Sequence, residues 1–181
     1  MVRIWMLASI FFGLSILPAV ADAECFQNER YLVIGQSRVD ELGTDFIIRP
    51  PAKGKISCIY EIAEDDRVLS KTDDWVYYVG LASQYLVLNR SSGPDGEIVI
   101  YDLDGDLSAP TIDVSADDEI DVDPHKVTYW ERIEPANSKN CPEFADFTRQ
   151  GLGAVIATEM VFDTATGRAN STGRKHCSQT Q

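Results

Sequence analysis

Carboxylates at alternate positions are the side chains in this sequence best placed to do chemistry. Asp102, Asp104 and Asp106 alternate through a glycine-bearing stretch, and Asp113 follows. Hard cations take several carboxylate oxygens from one tight loop, so these four are the candidate calcium ligands. The spacing departs from the EF-hand pattern: Leu107 stands where glycine should follow the third acid, and Gly105 comes early. The twelfth loop position holds Asp113 where that pattern requires Glu. A polar hairpin turn accounts for the same residues.

A second acidic group is Asp117, Asp118, Glu119, Asp121 and Asp123. Asp121 and Asp123 fall on one strand face, where mutual repulsion favours a cation. This group is the expected binding surface for a cationic protein or peptide. It lies in a stretch from Arg90 to Lys126 with no lysine or arginine between them, inside a chain of net charge −13. Such a charge disfavours nucleic acid and anionic lipid as partners.

Other catalytic chemistries find little support. His125 and His176 are the only histidines, too few for a zinc site unless other ligands join them. A Ser-His-Asp triad would need one of them as base, and no Gly-x-Ser-x-Gly elbow is present. No Cys-x-x-Cys, phosphate loop or dinucleotide fingerprint appears. Paired carboxylates can hydrolyse glycosides, but with so many acids that criterion selects none. Trp75, Trp130 and the Tyr77-Tyr78 pair fit either a sugar-binding surface or a β core. The sequence therefore points to a non-catalytic binding or inhibitor-type protein without a cofactor. The alternatives are a calcium-stabilised or structural envelope protein and a carboxylate-dependent hydrolase.

The cysteines fix the compartment. Residues 1–23 read as a signal peptide: Arg3, an apolar run from Ile4 to Leu17, Pro18, then small residues with cleavage patterns ending at Ala21 and Ala23. The apolar run is too short to span a membrane, and no other stretch is long enough. Glu24 before Cys25 rules out a lipobox. Cys25, Cys58, Cys141 and Cys177 all lie beyond the leader and would meet the oxidising periplasm or exterior as disulfides. Of the pairings that four cysteines allow, Cys25–Cys58 with Cys141–Cys177 is preferred, because each closes a local unit.

The elements that must position these groups are mostly strands. β-branched and aromatic runs predict strands at 31–34, 45–48, 56–62, 75–79, 85–88, 97–103, 112–114, 119–123 and 126–133. A turn is expected at 91–96. Pro142 opens one short helix over 142–150, which Gly151 or Gly153 ends, with Phe144 and Phe147 offered for burial. A strand from Ala154 to Phe162, a turn at 163–167 and a returning strand at 168–177 complete the chain. No linker splits residues 24–181, so a single β-rich domain is expected: an antiparallel meander or sandwich. The segments EIVIYDLDGD and EMVFDTATGR echo the strand–turn pattern of propeller blades.

From Trp75 onward, YLVLNRSSGPDGEIVIYDL, VTYWERIEP, NCPEF and the final CSQTQ resemble small exported bacterial proteins of unknown function. That resemblance implies a periplasmic location and a β-rich fold, and carries no catalytic residues with it.

Overall fold

The computed structural model describes residues 23–70, 75–91 and 95–181. The leader up to residue 22 and the centre of the turn expected at 91–96 lie outside them. The chain is mainly β, built as three successive four-stranded antiparallel meanders. The N-terminal sheet is β1 (Ala23–Gln27), β2 (Leu32–Ser37), β3 (Thr44–Arg49) and β4 (Arg67–Leu69). The middle sheet is β5 (Val76–Ala82), β6 (Tyr85–Arg90), β7 (Glu97–Asp102) and β8 (Ile112–Ser115). Then come β9 (Asp121–Asp123), β10 (Lys126–Pro135), helix α1 (Phe144–Arg149), β11 (Gly153–Asp163) and β12 (Arg168–Thr180), whose strands form the C-terminal sheet. In each sheet the sequence neighbours are the spatial neighbours, as in a propeller blade. The described strands close no barrel.

The middle sheet is covered on both faces, which explains its unbroken apolar runs. Leu86, Leu88, Val99 and Tyr101 face one way and pack with Val33, Phe46 and Ile48 of the N-terminal sheet. Tyr85, Val87, Ile98 and Ile100 face the other way and pack with Val127, Tyr129 and Phe162 of the C-terminal sheet. All of them are buried, and each such side chain stabilises by roughly 1.5–3 kcal/mol. A strand with two covered faces loses the apolar–polar alternation of a half-exposed one.

The strand expected at 56–62 is absent. The segment between β3 and β4 is an irregular strap laid over the outer face of the N-terminal sheet. There Ile56 and Tyr60 pack on Leu32, Ile34 and Ile47, while Ile59 and Ile62 are exposed. Its own backbone bonds are short-range, Ile59 to Ser57 and Glu61 to Ile59. Alternation holds for Ile56 and Tyr60 but fails at Ile62, two positions on, and no neighbouring strand offered a ladder. The strap is anchored by side chains instead: Gln27 bonds Ala52, Arg49 bonds the Glu61 carbonyl, and Cys25 is joined to Cys58.

The second bridge, Cys141–Cys177, ties the loop carrying α1 to β12. Both pairings are those preferred from the sequence, and no free cysteine remains. Each bridge stabilises by roughly 2–4 kcal/mol, chiefly by restricting the unfolded chain. Two disulfides mark a chain that matures in an oxidising compartment. Among the described residues no helix is long and apolar enough to cross a membrane. The expected helix is present but shorter, with Phe144 and Phe147 half-buried. It ends at Gly151, whose φ of +78° an L side chain rarely adopts. β5 and β9 approach closely at Gly80, where a Cβ would lie 2.7 Å from Val122.

Candidate functional site

The acidic connection from β8 to β9 splits into two environments. Ala116 bridges Glu131 on the edge of β10, and the Asp117 amide donates to the Trp130 carbonyl at 3.0 Å. This turns the Asp117 carboxylate onto the face of the C-terminal sheet opposite the core. On that face Arg132, Ala157 and His176 are cross-strand neighbours, and the fully buried Ala157 leaves room between the two longer side chains. Asp117 fills the gap. It accepts from Arg132 Nε at 2.8 Å and from Ser178 Oγ at 2.8 Å, and contacts His176 Nε2 at 2.7 Å. Arg132 reaches on to Asp95 at 2.9 Å.

Burial acts to raise the Asp117 carboxyl pKa, but the hydrogen bonds from Arg132, His176 and Ser178 outweigh it and hold the group below the usual carboxylate range. The surroundings are equally occupied. The Trp130 ring lies 4.1 Å from that of His176, and the Arg174 guanidinium sits 5.3 Å above it, a cation–π geometry. Arg174 pairs with Glu159 at 2.8 Å, and Glu159 also accepts from Thr172 Oγ1 at 2.7 Å.

Serine, histidine and aspartate thus meet here, in an order unsuited to nucleophilic catalysis. A triad needs the imidazole between serine and acid, so that it can take the serine proton. In this protein Asp117 is central, and Ser178 donates to it directly. A carboxylate of lowered pKa is a poor base for a hydroxyl, so the arrangement works as a polar clasp holding β12 to the β8–β9 connection.

Asp118, Glu119 and Asp121 differ. All three are exposed, and none has a cationic partner among the described residues. Asp123 returns to structural duty, accepting the His125 amide at 2.9 Å to shape the β9–β10 turn.

The four candidate calcium ligands do not converge. Asp104 pairs with Arg30 at 2.5 Å and accepts from the Tyr31 hydroxyl. Those contacts, the Tyr31 hydrogen bond foremost, lower its pKa. Asp102 accepts the Asp104 amide at 2.9 Å. Asp106 accepts the Ser108 amide and hydroxyl at 2.9 and 2.7 Å. Asp113, on β8, shares Arg90 with Glu97, at 2.7 and 2.6 Å. Among the described residues the one cluster with metal-like donor geometry is Cys141, Glu143 and Cys177, and its sulfurs are already bonded to each other.

The sequence reading missed Arg132 and Arg90 as the cations that divide the acids into paired and unpaired sets. Their only visible signal was position, as basic residues at or beyond the ends of the acidic stretch. The chain matches no protein-family model, no curated protein and no solved structure.

Proposed function

We propose that this is an exported, non-catalytic binding protein whose β8–β9 edge docks a cationic protein or peptide. One observation carries the reading: Asp118, Glu119 and Asp121 are exposed with no cationic partner among the described residues, although Asp113 and Asp117 just before them are paired with Arg90 and Arg132. Exposed like charges held on one short connection repel each other, and a cationic partner relieves that repulsion. The net charge of −13 would further steer such a partner inward. Periplasm or extracellular medium suits both the leader sequence and the two disulfides. Ala23 pairs with Gln36 at the start of β1, so cleavage after Ala21 keeps that pair and cleavage after Ala23 removes it.

The test is binding of a poly-lysine peptide by surface plasmon resonance at low and high salt. The wild type should bind with strong salt dependence, and D118N/E119Q/D121N should bind weakly at either salt. Equal binding by the two proteins removes the proposal.

A further inference from the structure

The N-terminal and middle sheets leave a cleft of about 360 Å³ between β1–β3 and β5. Its wall includes Phe26 and Tyr78, stacked with ring centroids 3.5 Å apart and planes within 7°. Tyr77 lines the same cleft and is 36% exposed. Gly35 lines the cleft and packs tightly against β3. A Cβ there would press within 3.1 Å of the Phe46 ring and 3.2 Å of the Thr44 methyl, so the position is held free of side chain.

The polar lining is Glu24, Ser37, Thr44 and the two tyrosine hydroxyls. None of these groups makes a side-chain hydrogen bond or ion pair within the described residues. This contrasts with Asp104, Asp113, Asp117 and Glu159, each of which is paired with an arginine. Burial alone pushes the Tyr78 phenol up to about 12, so it remains a protonated donor at any physiological pH.

The composition of the lining discriminates between ligand classes. A cation would want more than one carboxylate, and four of the five polar groups are neutral hydroxyls. An anion would meet Glu24 and the field of a chain with net charge −13. A neutral sugar ring supplies what remains. Its hydroxyls donate to the carboxylate and exchange hydrogen bonds with the serine, threonine and phenol hydroxyls. Its C–H face packs on an aromatic ring. The volume lies near the lower end of the range for small-molecule sites, suited to a single ring. We propose that the cleft between β1–β3 and β5 is a binding site for a neutral pyranose, with Tyr77 as stacking surface and Glu24 as acceptor for ring hydroxyls.

The proposal is independent of the β8–β9 edge and is tested separately. Saturation-transfer NMR is run on the full chain with glucose, galactose and N-acetylglucosamine at millimolar concentration, with Nα-acetyl-lysinamide as a cationic control. Transfer to at least one sugar is expected. It should be lost in S37W, which fills the cleft from an exposed position, and in Y77A, and weakened in E24Q. Melting curves check that each variant is folded, and both Ser37 and Tyr77 are exposed enough for substitution to spare the core. D118N/E119Q/D121N should bind the sugar as the wild type does. The assignment is overturned by no transfer to any of the three sugars. It is equally overturned by transfer that survives both S37W and Y77A, or by binding of the lysinamide alone.

Discussion

Asp117 and Asp118 are adjacent in sequence and opposite in fate. Asp117 is nearly enclosed, its side chain 12% exposed, and it is held by Arg132, His176 and Ser178. Asp118, with Glu119 and Asp121, faces solvent with no cationic partner among the described residues. The contrast teaches that a run of acids is not one surface. Strand alternation and the reach of a distant arginine decide which carboxylates build the fold and which remain available to a partner.

The largest expected effect comes from breaking the enclosed side. Asp117→Ala leaves Arg132, itself 8% exposed, buried without its main partner. Removing one member of such a pair costs about 3–5 kcal/mol, read as a shift in the urea midpoint. A loss below about 1 kcal/mol would mean that Asp117 is as dispensable as its exposed neighbours.

Gly80→Ala tests whether position matters as much as charge. The new methyl would collide with Val122 and push β9 from β5, costing about 1–3 kcal/mol. It should also weaken poly-lysine binding with every acid intact, because Asp121 moves with β9. Unchanged stability would mean that β5 and β9 do not approach this closely at Gly80.

The two acid sets should also separate by pH. Asp117 titrates below the usual carboxylate range in the folded protein. Its contribution is therefore complete above the unfolded carboxylate value, about 4, and is lost as pH falls through the depressed folded value. Melting temperature followed from pH 6 to pH 2 should drop more steeply in the wild type than in Asp117→Asn, which has no carboxylate to titrate there. Parallel curves would contradict the assignment.

The smallest effect belongs to the exposed set. D118N/E119Q/D121N should change stability by no more than about 0.5 kcal/mol, as expected of surface substitutions away from caps and networks. A larger loss in the same urea titration would show that these acids are part of the fold after all.

Much of this division was out of reach from sequence, for physical reasons. The runs at 85–88 and 97–103 and the hairpin turn at 163–167 were legible, because β-branched content and turn chemistry are local. In that turn Asp163 accepts the Ala165 and Thr166 amides, and Gly167 adopts a φ of +65°. Both disulfide pairings were legible too, since each closes one compact unit. β1 and β4 were missed: AECFQ and RVL are short, and they gain strand character only from β2 and β3. The segment 56–62 erred the other way, with a strand-like pattern and no partner strand. The Asp117 clasp joins residues 15 and 61 positions apart, a separation that periodicity does not encode. The aromatic pair Tyr77-Tyr78 was noticed, but its meeting with Phe26 and Glu24 depends on how two sheets stack.

The central claim is that the three exposed acids form a local docking edge, beyond their share of a negative protein's overall field. A charge-matched comparison decides it. D118N/E119Q/D121N is set against D40N/E41Q/E64Q, which removes the same charge from exposed positions in the β2–β3 and β3–β4 connections, and the salt dependence of poly-lysine binding is measured for both. The account predicts that the first variant loses most of the affinity and flattens the salt slope, while the second stays close to wild type. Equal losses in the two variants would contradict it, leaving net charge alone as the attraction.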